Sequence, residues 1–534
     1  MSTTKHTIQS QGQTPPEDNI DSLLGLAHWA SDSFREYTSS QVENIAKAVS
    51  SAALAKAADY AQWSVKETGF GNAPDKTIKN QVNATAQLEQ FDFQEYNGVK
   101  VDAEKKIARY AKPAGVIVAL IPSTNPIATI YYKVMSALLT RNVVILCPHP
   151  GAKECCVDAA DYLANAAEKA GAPAGCIQTL RHPSVAKVSQ LMSSPKTDLI
   201  LATGGPAMVR AAYGSGNPAI GVGPGNVACF VDKSADLALA SESIVTSKAF
   251  DNSLLCTCES VVIAHQDIAD QLVMQMVAKG AYHVEGRELE LLRAFLYPAN
   301  KLNPAAIGKS AVTIAKLAGF SVPSSTKVLG MEIFQINPDE PFSKEKMFPV
   351  LALLKVSGCQ QGLNAANAML RIQGKGHSLV IHSQDNPQIA RWSKSVPVCR
   401  ITINGPGVFG ASGFATNLPP SPVIGTGYFG RSSVSENIFA KHLVQWTQVA
   451  WNKELTVNMA SVEQSTTNSV TEIVAQYIET RGATGFGPAG SRENSSSRSS
   501  THYSASSVTE QPDNLRAMIK ALVEQELKQI LEQR

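Results

Sequence analysis

Short apolar runs alternate with alanine-rich helical stretches along much of this sequence, and the alternation constrains the fold more than any other feature. The first runs that read as buried strands are 115–121, 142–146, 177–180 and 199–202. A second set follows Gly225, with strands at 227–231 and 260–264 on either side of a helical stretch at 235–250. Strands and helices that alternate in this way are typical of a parallel sheet with crossover helices. The sequence therefore predicts an α/β fold.

The two ends of the chain differ in composition from this α/β region. Residues 1–18 are polar and predict a disordered lead-in, whereas residues 19–66 carry apolar side chains at helical spacing. Residues 481–512 are rich in Ser and almost lack large apolar side chains, which predicts a flexible linker. In the tail, 513–534, apolar residues recur on one face of a helix. A helix this short is marginal alone, so we expect its apolar stripe to need a partner.

Charge and hydropathy argue against several classes of protein. The formal net charge is +2 and no run of Lys or Arg stands out, so nothing indicates a nucleic-acid surface. The longest apolar stretch, 114–121, is far shorter than the roughly 20 residues of a membrane-spanning helix. The first residues lack the apolar core of a secretory signal. We therefore expect a cytoplasmic protein without membrane or nucleic-acid partners.

Nine cysteines are present, and two of them are candidates for a nucleophile. An odd number in a large chain without a secretory signal argues against a disulfide framework, and no spacing indicates a metal site. Cys256 and Cys258 follow a predicted helix, in a loop of small and polar residues just before a strand. A thiolate nucleophile needs a partly exposed setting of this kind near backbone N–H groups. The local pattern does not choose between the two, and packing as small buried side chains is the alternative for both.

The stretch Phe250–Cys256 reads FDNSLLC and resembles the F-D-N-x-x-x-C segment of the acylating branch of the aldehyde dehydrogenase superfamily. Five further segments resemble that branch and fall in the family's order: IPSTNP at 121–126, LATGGP at 201–206, AIGVGPGN at 219–226, EKMFP at 345–349 and SEN at 435–437. The resemblance implies that Cys256, rather than Cys258, forms a thioester with the carbon of a short aldehyde. It also implies NAD as the hydride acceptor and coenzyme A (CoA) as the thiol that takes the acyl group.

The same segments imply roles for residues in other loops. An Asn before Pro is most often a turn or cap residue, but the resemblance implies that the Asn125 amide forms an oxyanion hole with the backbone N–H of Cys256. Thr203-Gly204-Gly205 follows a strand and opens a helix, a place where dinucleotide folds bind a pyrophosphate; a tight turn is the alternative. Glu345 would hold the nicotinamide ribose, with a solvated surface carboxylate as the alternative. The residues implied in cofactor binding are Thr124, Thr203, Gly204, Gly205, Gly223 and Glu345.

Two departures from the hydrolytic members of the superfamily bear on the reaction. Those members carry a Glu in the second glycine segment, where it activates water, whereas 221–226 reads GVGPGN without a carboxylate. Without that base, the thioester should react slowly with water and wait for a thiol. Hydrolytic members also place a Lys near Cys147 to hold the adenosine ribose, and 146–150 reads LCPHP, so the use of NADP stays open. His377 lies in a segment that resembles the acylating branch and is a candidate base for the attack of CoA, although a lone His after a Gly turn is more often structural.

The resemblance implies a Rossmann-like NAD domain, a second α/β domain that carries Cys256, and a small flap that joins subunits into dimers or tetramers. The corresponding segments are 19–240 for the NAD domain, 241–435 for the catalytic domain, and 436–480 for the flap and closing segment. Strands of the flap are expected near 98–112 and 438–455.

The tail 513–534 resembles the encapsulation peptides that load enzymes into bacterial microcompartments. This implies a shell protein as partner and the microcompartment lumen as location; the alternative is a helix that packs on the enzyme or on another subunit. Acetaldehyde and propionaldehyde lead as substrates because microcompartments handle small volatile aldehydes, and sulfoacetaldehyde is an alternative. The missing Glu opposes a hydrolytic enzyme. The presence of Cys256 and Asn125 opposes a non-catalytic member that binds only nucleotide or shell protein.

Overall fold

The computed structural model describes residues 18–464. The predicted linker at 481–512 and the predicted tail helix at 513–534 lie outside the described residues, as does the predicted lead-in up to residue 17. Asp18, at the end of that lead-in, is held in place, because its carboxylate accepts hydrogen bonds from the backbone N–H groups of Arg181 and His182 at 3.0 and 2.7 Å. The prediction of disorder is therefore wrong at residue 18.

Seventeen α-helices lie within the described residues, and none of them is long and apolar enough to cross a membrane. They are α1 Ile20–Phe34, α2 Ser39–Ala55, α3 Ala57–Thr68, α4 Ala73–Gln90, α5 Phe93–Asn97, α6 Pro126–Leu139, α7 Lys153–Lys169, α8 Val185–Ser193, α9 Pro206–Tyr213, α10 Leu237–Ala249, α11 Gln266–Ala278, α12 Gly286–Leu296, α13 Ala311–Ala318, α14 Cys359–Ile372, α15 Asn386–Ser395, α16 Gly407–Gly410 and α17 Met459–Gln464. Local sequence sets several ends: Thr38 begins α2 with a capping box, and Gly69 ends α3 in the left-handed conformation.

The strands of the described chain form three sheets. They are β1 Val99–Asp102, β2 Ile107–Pro113, β3 Val116–Ile121, β4 Val143–Pro148, β5 Ile177–Thr179, β6 Leu199–Thr203, β7 Ala219–Val222, β8 Val227–Val231, β9 Glu259–His265, β10 Ala281–His283, β11 Val328–Glu332, β12 Val350–Val356, β13 Gly376–His382, β14 Val398–Ile403 and β15 Val444–Ala450. The combination of parallel sheets with covering helices confirms the predicted α/β class.

The first sheet is parallel and has the order β5-β4-β3-β6-β7. The chain builds outward from β3 through β4 to β5, and then returns to the other side of β3 with β6 and β7. Every residue of β3 and β4 is buried, as their continuous apolar runs predict. The helix α6 is buried along its whole length, which fits a helix that is apolar on most sides.

The second sheet is also parallel, with the order β10-β11-β12-β9-β8-β13-β14. The predicted boundary at residue 240 would assign β8 to the first unit, and in this respect it is wrong. β8 pairs with β9 and β13 inside the second sheet. The chain therefore changes from one sheet to the other at 223–226, inside the second glycine segment.

A third, antiparallel sheet joins two distant parts of the chain in the order β1-β2-β15. β15 pairs with β2 from Val444 opposite Pro113 to Ala450 opposite Ile107. These strands lie in the two segments predicted for the flap, except that β2 ends one residue beyond 98–112. The function of this sheet in subunit association stays a prediction.

Candidate active site

The loops that follow β3 and β6 meet at one edge of the first sheet. The two strands are neighbours, and the chain runs outward from them in opposite directions, so their carboxyl ends form a switch point where open α/β sheets bind ligands. A cleft of about 390 Å³ is lined by residues of both loops. The predicted site residues that line it are Thr124, Asn125, Thr203, Gly204, Gly205, Gly223, Cys256 and Glu345. The structure thus brings together all the predicted site residues except His377.

An unusual backbone carries Cys256 into the cleft. After α10 the chain forms a short 3-10 turn, Phe250–Ser253, in which Asp251, Asn252 and Ser253 have φ values of 46°, 52° and 63°. Successive non-glycine residues in the left-handed region are uncommon and persist only where surrounding contacts hold them. Cys256 follows this turn, is partly exposed, and precedes β9.

Two glycines of the segment between β7 and β8 are closely packed. A Cβ at Gly225 would stand 2.0 Å from the carbonyl oxygen of Cys256, far inside van der Waals contact. A Cβ at Gly221 would lie 2.7 Å from both Tyr213 Cε2 and Val209 Cγ1. The segment that carries a Glu in hydrolytic relatives therefore has no room for a side chain at either position.

The Glu345 carboxylate affects the ionisation of the Cys256 thiol. Burial, with a further contribution from the Glu345 carboxylate, raises the pKa of the Cys256 thiol to about 12. Burial also raises the pKa of Glu345 to about 7, and Gln373 Nε2 donates a hydrogen bond to its Oε2 at 2.9 Å. The thiol is therefore protonated at neutral pH before substrate binds, and loss of the negative charge on Glu345 favours the thiolate.

Asn125 occupies the N-cap position of α6, but its side chain makes no cap hydrogen bond. Its Nδ2 donates to the carbonyl of Leu254 at 3.4 Å and to Thr124 Oγ1 at 3.3 Å, and its Oδ1 accepts from Lys79 Nζ. The N–H side of the amide therefore faces the loop that carries Cys256. This is the orientation that an oxyanion donor requires, and it differs from the helix-cap alternative.

Two lysines that sequence reasoning misses connect these loops. Lys79 lines the cleft and donates to both Asn125 Oδ1 and Asp251 Oδ2. Lys76, one turn earlier on α4, donates to the Thr124 carbonyl at 2.9 Å and to Asp251 Oδ2 at 3.1 Å. Asp251 is 172 residues from Lys79 in sequence, so no local pattern reveals the contact. The Asp in the F-D-N segment was the available signal, since an acidic residue next to a nucleophile loop needs a partner if it is buried.

The turn after β6 has the properties of a phosphate-binding loop. Gly205 is the N-cap of α9, and a Cβ at this position would meet nothing within 4 Å. The Thr203 hydroxyl is buried without a hydrogen-bond partner. An unpartnered hydroxyl beside open glycine backbone at a helix N-terminus fits the pyrophosphate of a dinucleotide. Across residues 18–464, no group of three His, Cys, Asp or Glu side chains could hold a metal ion.

Cys258 and His377 are not among the lining residues of this cleft. Cys258 is 4% exposed and packs in a small cluster with Phe250, so the geometry favours Cys256 as the reactive thiol. His377 lies on β13, which places it inside the second sheet, where it is fully buried and its Nδ1 contacts Ser378 Oγ at 2.9 Å. Burial, assisted by the positive charge of Arg400, lowers the pKa of His377 to about 3. The structure therefore does not bring this predicted base into the cleft.

Comparison with known proteins decides the family. The profile described as "Aldehyde dehydrogenase family" matches residues 2–416. The chain belongs to the aldehyde dehydrogenase family. Membership confirms the predicted resemblance to the aldehyde dehydrogenase superfamily, and it agrees with the fold.

The proteins similar to this chain include acylating enzymes. The aldehyde-alcohol dehydrogenase of Clostridium acetobutylicum is 36% identical over 441 residues, which are 82% of this chain and 51% of that protein, so the chain spans about half the length of this relative. The crystal structure of an acetylating aldehyde dehydrogenase from Geobacillus thermoglucosidasius has a TM-score of 0.80 at 34% identity and covers 82% of this chain and 97% of that one. A propionaldehyde dehydrogenase from the fucose utilisation microcompartment of Clostridium phytofermentans has a TM-score of 0.76 at 27% identity, with 83% and 99% covered. The predicted resemblance to acylating members is thereby confirmed.

Proposed function

We propose that this chain oxidises a short, uncharged aldehyde with NAD, through a thioester on Cys256, and transfers the acyl group to CoA. The observation that carries the proposal is that the Cys256 loop, the Asn125 amide and the glycine turn before α9 line one cleft. The similarity to a structure named as an acetylating aldehyde dehydrogenase supports CoA as the acceptor.

Cys256 first loses its thiol proton to solvent water. The thiolate then adds to the aldehyde carbon, and negative charge develops on the aldehyde oxygen. The Asn125 amide and the backbone N–H of Cys256 donate to that oxygen, and one fixed donor of this kind is worth about 10²–10³ in kcat. When bound, NAD would supply the hydride acceptor for oxidation of the adduct on Cys256 to a thioester. Glu345 would hold the nicotinamide ribose, and Gln373, which donates to the Glu345 carboxylate, fixes the orientation of that carboxylate.

The acyl group then leaves Cys256 by attack of a thiol rather than of water. The segment GVGPGN at 221–226 supports this, because it carries no carboxylate that would activate water. The close packing at Gly221 and Gly225 leaves no room for a side chain at those two positions. Without CoA we expect about one NADH per active site, followed by near arrest, with steady turnover once CoA is added. Stopped-flow absorbance measures both phases, and enzyme inactivated with iodoacetamide is the control. Continuous formation of free acid without CoA would contradict the proposal.

His377 stays a prediction for the transfer step, because the cleft does not include it. His377→Ala tests it in the same stopped-flow assay. A role in CoA attack requires an unchanged burst of NADH and a slower CoA-dependent phase. A burst and a steady rate that both match the unmodified enzyme would remove His377 from the reaction.

The lining of the cleft supports an uncharged substrate. Leu255, Met347 and Phe414 give it an apolar wall. The basic side chains among its described lining residues are Lys79, whose ammonium is bonded to neighbouring side chains, and the exposed His149. We therefore place acetaldehyde and propionaldehyde ahead of sulfoacetaldehyde. Comparison of kcat/KM for the three aldehydes with CoA present is the test, and a preference for sulfoacetaldehyde would overturn this assignment.

NAD is the proposed hydride acceptor, and NADP is the competitor to measure. The turn at 149–152, after β4, carries no carboxylate that would repel a 2′-phosphate. The ratio of kcat/KM for the two dinucleotides decides between them. A ratio in favour of NADP would replace NAD in the proposal and leave the thioester chemistry unchanged.

The antiparallel sheet supports a homo-oligomer. β15 is an edge strand of this sheet, and its residues 447–450 are exposed. An open strand edge of this kind can pair with another chain. Light scattering of the purified protein measures the mass in solution, and a monomer at micromolar concentration would contradict subunit association.

We also propose that the tail 513–534, outside the described residues, binds a shell protein of a bacterial microcompartment. The apolar stripe at helical spacing and the microcompartment relative support this. A fluorescent protein fused to the tail should sediment with purified shells, and Leu522→Glu with Leu527→Glu should abolish this because a charge in the stripe cannot be buried unpaired. A chain cut at residue 480 should keep its activity. A fusion that stays in the supernatant, with a shortened enzyme that melts several degrees lower, would favour packing on the enzyme instead.

A further inference from the structure

Three buried charged side chains lie behind the Asn125 amide. Lys76 and Lys79 extend from the same face of α4, and both donate to Asp251 Oδ2 in the turn that leads to Cys256. Asp251 is fully buried, and the two lysines are 3% and 7% exposed. Charges withdrawn from water persist only when they are paired and hydrogen-bonded. These three side chains therefore form an anchor that joins α4 to the turn Phe250–Ser253.

Asp251 is held on every side. Besides the two lysines, the backbone N–H of Asn72 donates to its Oδ1 at 2.9 Å, and its own N–H donates to Asp75 Oδ2 at 2.7 Å. These contacts fix the position of Oδ2, and Oδ2 in turn fixes where the ammonium of Lys79 lies.

The two lysines differ in their second contact. Lys76 donates to a backbone carbonyl, that of Thr124, whereas Lys79 donates to the side-chain oxygen of Asn125. An ammonium group has three donors and no acceptor, so it can face only the oxygen of an amide and never its NH₂. The NH₂ must then point the other way, where it lies 3.4 Å from the carbonyl of Leu254.

We propose that Lys79, anchored by Asp251, is a positioning residue that locks the Asn125 amide with its N–H group toward the oxygen of the reacting aldehyde. The inference rests on the proposed role of Asn125 as an oxyanion donor. Without Lys79, a turn of the amide by 180° would present its carbonyl oxygen to the oxyanion, and the two oxygens would repel each other. The positive charge of Lys79 also favours the negative charge that develops nearby.

A double-mutant cycle tests the proposal with four variants: Lys79→Met, Asn125→Ala, the two together, and Lys76→Met as the matched control. Lys79→Met should lower kcat for CoA-dependent NADH formation by about 10- to 100-fold, a part of the effect of losing an oxyanion donor, with little change in KM for the aldehyde. When Asn125 is already Ala, the same substitution should lower kcat by less than about threefold, since no amide remains to orient. Lys76→Met removes a cation that also binds Asp251, but it removes no contact with the Asn125 amide. It should therefore lower the melting temperature as much as Lys79→Met does, and lower kcat far less than Lys79→Met does.

Two further readouts separate orientation from damage to the fold. Alkylation of Cys256 by iodoacetamide forms no oxyanion, so Lys79→Met should leave its rate nearly unchanged. Lys79→Arg keeps a cation and a donor and should recover part of kcat. Equal losses of kcat from Lys79→Met with and without Asn125, or an equal loss from Lys76→Met, would overturn the positioning role. If Asn125→Ala itself keeps full activity, the proposed oxyanion role fails; if Asn125→Ala is inactive but Lys79→Met is not, only the positioning role fails.

Discussion

Substitution of Gly225 by Ala would place a methyl group against the main chain of Cys256, the proposed nucleophile. The added Cβ would stand 2.0 Å from the carbonyl oxygen of Cys256, whereas a carbon and an oxygen in contact are about 3.3 Å apart, so the two segments must separate by about 1.3 Å. Gly225 is not among the glycines with positive φ, so its backbone accepts Ala and the clash is the whole perturbation. The loop of Cys256 must then move, or the segment between β7 and β8 must.

A displacement of this size should affect catalysis more than folding. Overpacking by one methyl group destabilises a protein by about 1–3 kcal/mol. Misplacement of a reacting group by about 1 Å can lower the rate about 100-fold, which corresponds to about 2.7 kcal/mol in the activation free energy. We therefore expect Gly225→Ala to remain folded, to melt a few degrees lower, and to lose about two orders of magnitude in kcat.

The assay is CoA-dependent NADH formation with acetaldehyde, alongside thermal melting. Gly25→Ala in α1 is the control, since a Cβ at that position meets nothing within 4 Å. It should leave kcat unchanged and should not lower the melting temperature, because Ala favours a helix interior over Gly. A Gly225→Ala enzyme with the unmodified kcat would refute the close approach of this glycine to the Cys256 loop.

Two further predictions concern the thiols. Cys256→Ala should abolish CoA-dependent NADH formation while the buried Cys258→Ala keeps most of it, and the reverse result in the purified enzymes would reassign the nucleophile. Glu345→Gln should speed alkylation of Cys256 by iodoacetamide at pH 8–9, because the lost negative charge lowers the pKa of the thiol. The difference should disappear below pH 7, since the pKa of Glu345 is about 7 and its carboxyl is then protonated in the unmodified enzyme as well; a difference that is constant with pH would contradict the electrostatic account.

The alternation of apolar runs predicted the first sheet well because buried parallel strands are apolar on both faces. The runs at 115–121, 142–146 and 199–202 correspond to β3, β4 and β6 within two residues at each end. The strand at 227–231 was also predicted, but its sheet was not. It follows β7 after four residues and yet pairs with β9 and β13, and pairing partners leave no local mark in the sequence.

For the site, too, local sequence predicted some features, whereas features that depend on long-range contacts were not predictable. The glycine turn of Thr203–Gly205 and the loop of Asn125 were predictable, because each is a strand, a short turn and a helix in succession. The orientation of the Asn125 amide was not predictable, because it depends on contacts with Lys79 and Asp251. In sequence, Lys79 precedes the strands of the first sheet and Asp251 follows them. His377 was predicted at the site only because its segment resembles the family. In the structure it lies on β13 and is buried within the second sheet.

The close packing of Gly221 and Gly225 bears on whether a base for hydrolysis could be placed in this segment. A carboxylate at Gly225 would have to displace the loop of Cys256, and one at Gly221 would have to displace Tyr213 and Val209 of α9. The first change would move the loop of the proposed nucleophile, and the second would disturb α9, whose N-terminus forms the proposed nucleotide turn. A base for hydrolysis therefore cannot be added at either position without disturbing the Cys256 loop or α9. The proposed acyl transfer to a thiol needs no such base and leaves both in place.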